Sequence, residues 1–185
     1  MEAKEKTPAG KQGATNKGKC TDNKPQIQAI AKLRELYLQD HRRKYPSMPE
    51  YARTSPRYTD KTANGLTKMI IHFIRLNGGQ AERINCTGRI IDNRKTFTDV
   101  SGRVRTIGSV QYGKTAGTRG TADISATIRG RAVKIEVKIG NDKQSSYQRQ
   151  YQKDIEAAGG IYIIARNFIG FYNWYNLKFG SNGNR

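Results

Sequence analysis

Asp123-Ile124-Ser125-Ala126-Thr127-Ile128-Arg129-Gly130-Arg131-Ala132-Val133-Lys134-Ile135-Glu136-Val137-Lys138-Ile139 is the stretch on which the reading of this chain turns. In residues 132–139 Val133, Ile135, Val137 and Ile139 share one side of an extended strand. Lys134, Glu136 and Lys138 share the other. Residues 123–128 read as a second strand, and Arg129-Gly130-Arg131 as the turn that folds the two together. Such a hairpin carries Asp123 to the side of Glu136. Two carboxylates in contact repel unless a cation lies between them. A hard divalent cation held by carboxylates suits phosphodiester hydrolysis, because it positions water and stabilises charge developing on phosphorus. Lys138 is then placed to orient or deprotonate the attacking water. The competing reading is a surface ion pair on a sheet face. Glu2-Ala3-Lys4 and Asp22-Asn23-Lys24 repeat the acid-x-Lys spacing, so the tripeptide carries weight only through its strand context.

Downstream, Ser145 or Ser146 begins a helix that reaches about Ala158 and stops at Gly159-Gly160. Ile161-Tyr162-Ile163-Ile164-Ala165 is a short, fully apolar run, read as a central buried strand. Asn167 is placed to cap an aromatic-rich helix to about Phe179, with 180–185 fraying. Upstream, residues 81–91 read as a strand and 102–108 as a weak hairpin arm. Asp60 is placed to cap a helix whose face is Leu66, Met69, Ile70, Phe73 and Asn77, ended by Asn77-Gly78-Gly79. The order helix, strand, strand, strand, helix, strand, helix predicts an α/β fold with a mixed central sheet and helices on both faces. From Pro25 to about His41 an apolar stripe of Ile27, Ile30, Leu33, Leu36 and Tyr37 predicts another helix, followed by a proline-marked connection. Residues 1–25 lack large aliphatic side chains after Met1 and are read as a disordered basic tail. Three regions follow: the tail at 1–25, a helical arm and linker at 26–59, and the folded domain at 60–180.

Lys and Arg number 34 against 15 Asp and Glu, a formal charge of +19. A surface of that sign attracts polyanions. The excess is greatest within 61–120, with 11 basic and 3 acidic residues, which favours a binding surface on the domain over a charged tail. No apolar run approaches the length that spans a bilayer, so no membrane partner is expected. The two cysteines, Cys20 and Cys86, are isolated, which argues against a disulfide scaffold and points to a reducing compartment.

Taken together, Gly117-Thr118-Arg119-Gly120-Thr121-Ala122-Asp123-Ile124, Ile135-Glu136-Val137-Lys138, Gln148 and Gly159-Gly160-Ile161-Tyr162 resemble the VRR-NUC branch of the PD-(D/E)XK nucleases. The resemblance covers about residues 60–166. Arg83-Ile84-Asn85-Cys86-Thr87-Gly88 is similar to an Arg-x-Asn stretch on the first strand of phage-type members. This resemblance implies a restriction-endonuclease-like αβββαβ core and a DNA substrate. It implies Mg²⁺, or Mn²⁺ in its place, bound by Asp123 and Glu136 with help from the Val137 carbonyl. Lys138 would stand at the water, and Gln148 would turn toward the metal or the scissile phosphate. It further implies structure-selective cutting of branched or junction DNA in phage replication or recombination, within the cytoplasm of a bacterial host and without a small-molecule cofactor. A homodimer pairing two sites would suit such a substrate. Two departures stand out. Ala122-Asp123 replaces Pro-Asp, and the helix after Asp60 offers no acid where such nucleases often carry a glutamate, Asn64 being the nearest substitute. One metal or two is therefore left open, and a non-catalytic nucleic-acid-binding protein on a nuclease fold is the alternative. An RNA-directed nuclease is the third reading.

Gly108-Ser109-Val110-Gln111-Tyr112-Gly113-Lys114-Thr115 matches the phosphate-loop pattern GxxxxGK[ST], which works only when a helix follows. Ala116-Gly117-Thr118-Arg119-Gly120 is a poor helix start, so a basic glycine-rich loop along DNA is the better reading. Lys114 and Arg119 in that loop, with Arg83, Asn85, Lys134, Lys143 and Arg149, are the residues expected at nucleic acid. His41 and His72 do not form a ligand pair on one helix, and His72 is expected to pack. Phe168, Phe171, Tyr172, Trp174 and Tyr175 have the spacing of a core face more than of a base-stacking platform.

Overall fold

Alternation in residues 132–139 produces the hairpin it predicts. The structure is a computed structural model that describes residues 24–85, 88–113 and 117–180. Expectations for residues 1–23, Cys86, Thr87, Lys114 and 181–185 lie outside the described residues. In chain order the strands are β1 Gln80–Arg83, β2 Arg89–Asp92, β3 Lys95–Thr98, β4 Val104–Ile107, β5 Val110–Gly113, β6 Ile124–Ile128, β7 Arg131–Val137 and β8 Ile161–Ala165. The helices are α1 Lys24–Lys44, α2 Ala63–Leu76, α3 Ser146–Ala157 and α4 Phe168–Phe179.

The β6–β7 turn is tight because Arg129 and Gly130 both take positive φ, 48° and 77°. That is the twist a two-residue hairpin loop requires. The main sheet runs β1-β6-β7-β8, antiparallel except where β7 meets β8. It is a mixed sheet flanked by helices. Ile124, Ala126, Ile128, Val133, Ile135 and Val137 turn their side chains into a core shared with α1, α2 and α4. The opposite face meets α3, whose Gln148 reaches Glu136.

Most predicted boundaries hold within a few residues, and the exceptions have physical causes. α2 is capped by Thr62, whose side chain accepts from the Gly65 N–H at 3.1 Å, and not by Asp60. Asp60 serves another helix: its carboxylate accepts from the Phe168 N–H at 3.0 Å and from the Gln26 amide. Gln26 in turn accepts from the Ile169 N–H at 3.2 Å, and Asn167 caps the Gly170 N–H at 2.8 Å. Three successive orphan donors at the start of α4 are thus met, two of them by residues more than a hundred positions away. α1 opens with Pro25 in its first turn as expected, but it starts one residue earlier, at Lys24, and runs past His41 to Lys44. Asn77 lies outside the buried face of α2 and closes its end, its side chain donating to the Phe73 carbonyl at 2.7 Å.

Two strand readings need correction. The expected 81–91 strand is two strands in separate sheets, β1 in the main sheet and β2 paired with β5. The apolar run β8 is an edge strand, not a central one. It is apolar because side chains on both of its faces lie under helices, α3 on one and α4 on the other. Coverage of the faces, not the number of strand neighbours, sets that composition. The weak arm at 102–108 is β4, paired with β3. Val110–Gly113 within the phosphate-loop match is strand β5, and a bend and turn follow at 117–120, so no helix opens there among the described residues.

Candidate active site

One register step beyond the paired Ile124 and Ile135, Asp123 stands opposite Glu136 at the end of the hairpin. The backbone there is held from both sides. Ile84, following β1, donates its N–H to the Asp123 carbonyl at 2.8 Å, and Lys138 donates its N–H to the Ala165 carbonyl at 3.0 Å. The Asp123 carboxylate accepts from the Val137 N–H at 2.8 Å, which fixes its orientation along the strand end.

Glu136 is 1% exposed and Lys138 is 6% exposed, so the charged face of β7 is buried where it carries the acid. A buried charge persists only with partners. Lys138 Nζ lies 3.1 Å from Glu136 Oε1 and 3.3 Å from Asp142 Oδ2. Tyr162 on β8 donates its hydroxyl to Glu136 Oε2 at 3.4 Å, and Gln148 Nε2 donates to Oε1. The amide of Gln148 is not free to turn. Its Oε1 accepts from the Ser145 N–H at 2.9 Å, half of a capping box at the start of α3, so the amide nitrogen is the end presented to Glu136. Helix capping thereby aims a donor at the carboxylate.

Burial pushes the Glu136 carboxyl above the ordinary carboxylate range, and the Asp123 charge pushes it further, against the opposing pull of Lys138 and Tyr162. For Lys138, burial acts to lower the ammonium, but the hydrogen bonds and charges of Glu136 and Asp142 outweigh it and hold it above its usual value. Tyr162 is raised to about 12, first by burial and then by the neighbouring carboxylates, so it donates rather than ionises.

Asp123, Glu136, Val137, Lys138 and Gln148 are therefore brought together. Val137 enters through its N–H on Asp123, where the resemblance implied its carbonyl. Beside Gln148 opens a cleft of about 730 Å³ lined by residues 117–121, Ser145 and Tyr147. Arg119 belongs to it, stacked 5.2 Å over the Tyr147 ring. Lys134 lies on the Glu136 face of β7 and donates to Ser125 Oγ at 2.6 Å. Lys143 is exposed just before α3, Asn85 is exposed after β1, and Arg149 donates to the Gln144 carbonyl at 2.8 Å. Arg83 lies elsewhere, in a separate cleft with Asn64, Thr67, Lys68, His72 and Arg75 of α2. Asn64, the nearest substitute for the missing helical acid, lines that cleft as well. Among the described residues no group of three or more His, Cys, Asp or Glu is placed to hold a metal.

Tyr162 and Asp142 were not singled out by sequence. Tyr162 left a trace, as the one side chain with a polar tip in an otherwise aliphatic strand. Asp142 lies in a loop, where spacing carries no face information. His72 packs as expected: the Tyr58 hydroxyl is 3.1 Å from its Nδ1, and Tyr37 stacks at 6.4 Å. Phe168, Phe171 and Tyr175 pack around Phe73 in the core. No helix among the described residues is long and apolar enough to cross a membrane. No family model matches this chain, and neither does any curated protein.

Proposed function

We propose that this chain hydrolyses phosphodiester bonds in DNA, as a metal-dependent endonuclease with the αβββαβ core of the PD-(D/E)XK nucleases. The observation that carries this reading is the juxtaposed pair Asp123 and Glu136 at the end of a hairpin, with Lys138 and Gln148 both bonded to the same carboxylate. The donor set fits a hard cation. Burial first and then the Asp123 charge raise Glu136, the second being the repulsion that a bound Mg²⁺ or Mn²⁺ would relieve, and both carboxylates offer hard oxygen ligands. Held by Asp123 and Glu136, such an ion would supply charge stabilisation at phosphorus.

The chain's own groups do the rest. In hydrolysis a water oxygen forms a bond to phosphorus, the bond to the leaving oxygen breaks, and that oxygen takes a proton. Lys138, kept charged by Glu136 and Asp142, is suited to orient the water and face a nonbridging oxygen, and not to accept the proton. Gln148 holds the Glu136 carboxylate in one orientation, and Tyr162 supports its other oxygen. Arg119 at the rim of the cleft supplies a cation for the DNA backbone.

The second reading, a nucleic-acid-binding protein that does not cut, is favoured by one observation: Oε1 of Glu136 is already engaged by two donors and no third acid joins the pair. Linear, nicked and four-way DNA incubated with Mg²⁺, Mn²⁺ or EDTA separates the two. Metal-dependent cleavage lost in Glu136→Gln and Lys138→Ala is expected. Binding without cleavage under either metal establishes the second reading, and cleavage that survives EDTA and Glu136→Gln overturns the proposed site.

A further inference from the structure

The four strands inserted between β1 and β6 form one long arm. β2 pairs with β5 and β3 with β4, and the two ladders share a single register: Asp92 faces Val110, and three residues on Lys95 faces Ile107. Between them the Asn93 N–H donates to the Ser109 carbonyl at 3.2 Å. Ten residues per strand at the extended rise give an arm about 33 Å long. None of its residues belongs to the hydrophobic core, and β3 and β4 are exposed throughout. A two-stranded hairpin alone is marginal in water. This one nonetheless displays Ile90, Phe97, Val100, Val104, Ile107 and Tyr112 to solvent.

We infer that this arm lies along duplex nucleic acid and holds it against the carboxylate pair. Charge selects the occupant. The arm, residues 88–113, carries five basic and two acidic residues, and both acids are spent internally. Asp92 pairs with Arg94 and Asp99 with Arg105, each at 2.7 Å. Among the described residues Lys95 and Arg103 have no carboxylate partner. A second copy would present the same unbalanced cations and repel, whereas a polyanion neutralises them. Chemistry agrees. On the outer ladder Lys95 sits across from Ile107 and Phe97 across from Arg105, so cations alternate with apolar side chains on one face. That pattern suits phosphate contacts interleaved with apolar contacts to bases, and a two-stranded ribbon has the width the major groove admits. Asp99 ties down the tip by accepting from the Ser101 and Arg103 N–H groups, which leaves Val100 projecting at the apex.

Position completes the argument. One root of the arm leaves β1 beside Ile84, which bonds to Asp123. The other returns through residues 117–121, where Gly120 approaches Tyr147 and Gln148 so closely that a Cβ would lie 2.4 Å from the Tyr147 carbonyl carbon. The described residues that flank the arm on either side therefore touch the candidate site. The identity of the occupant rests on the proposed action on DNA, but the grip is measurable without cleavage.

The test replaces residues 93–109 with Asn-Gly, which closes β2 on β5 by a two-residue turn. A second variant, Lys95→Gln with Arg103→Gln, leaves the backbone intact should the shortened arm fail to fold. Binding of a blunt duplex of about three helical turns is followed in EDTA across a salt series. Both variants should weaken binding roughly tenfold, and the salt slope should flatten by about two charges in the Gln pair and about three in the shortened arm, which loses four basic residues and one acid. Phe97→Ser with Val100→Ser should weaken binding at an unchanged slope. Unaltered affinity in the shortened and the Gln variants overturns the inference, as does weakening that tracks conversion of a dimer to monomer in light scattering. Hydrolysis of bis(p-nitrophenyl) phosphate, too small to reach the arm, is measured in parallel. Its absence from the parent protein counts against the catalytic reading alone and leaves the binding result to decide the arm.

Discussion

Glu136 is a buried acid whose neighbours make opposite demands on it. Burial and Asp123 favour the protonated form, while Lys138 and Tyr162 favour the charged one, and the net effect raises it above its ordinary 4.5. Without metal, this group stabilises the fold fully below 4.5 and loses that contribution as pH rises through its raised folded value. A cation bound to the ionised pair offsets the loss. Adding Mg²⁺ is therefore expected to raise Tm more near pH 8 than near pH 5. Glu136→Gln should abolish the difference, and an equal Mg²⁺ effect at both pH values would count against a carboxylate metal site. Gln148 makes a second prediction at this scale. Gln148→Glu preserves the capping box but sets a carboxylate against Glu136, whereas Gln148→Ala removes both bonds. If the donor matters, Gln148→Glu impairs cleavage at least as much as Gln148→Ala despite the better cap, roughly tenfold or more by initial rates. Recovery of activity in Gln148→Glu would reduce the residue to a helix cap.

Among the elements, α4 depends on groups far away in the chain. Asp60→Ala leaves the Phe168 N–H and the Gln26 amide without their acceptor, at a cost of about 1–3 kcal/mol. Thr62→Ala removes an exposed cap of α2 and should cost about 1 kcal/mol or less. Denaturant melts of the two variants give the order directly, and a larger loss in Thr62→Ala would contradict the capping seen here. The glycine-rich approach is the other element set by a distant contact. Gly120 has φ +80° and its missing Cβ leaves room for the backbone of Tyr147 and Gln148. Gly120→Ala is thus expected to displace the loop from α3 and lower DNA cleavage by roughly tenfold. A crystal structure of that variant with an unmoved Gln148 would break the link.

Over the whole molecule, the charge of +19 sets a steep salt dependence for any polyanion. α1 begins at Lys24, and Gln26 bonds both Asp60 and the α4 N-terminus. Deleting residues 1–23 should leave the thermal melt unchanged while weakening DNA binding. Deleting as far as Gln26 should lower Tm by several degrees, since about 1 kcal/mol moves a domain of this size by a few degrees. Equal melts for the two deletions would remove Gln26 from the account of α4.

Where information is local, the sequence alone determined the outcome. Alternation along β7, the Arg129-Gly130 turn, the Ser145 and Asn167 caps and the glycine stops after α2 and α3 each follow from residues within a few positions of one another, and with them the pairing of Asp123 and Glu136. Tertiary structure decided whatever joins distant parts of the chain. Asp60 looked like the cap of its own helix because its partner, Phe168, has no signature at residue 60. β8 looked central because a strand covered on two faces is apolar wherever it lies in the sheet. Tyr162 and Asp142 joined the site only through strand pairing and a turn. The arm at 88–113 read as fragments because an exposed ribbon buries no face, and without burial there is no periodicity to read.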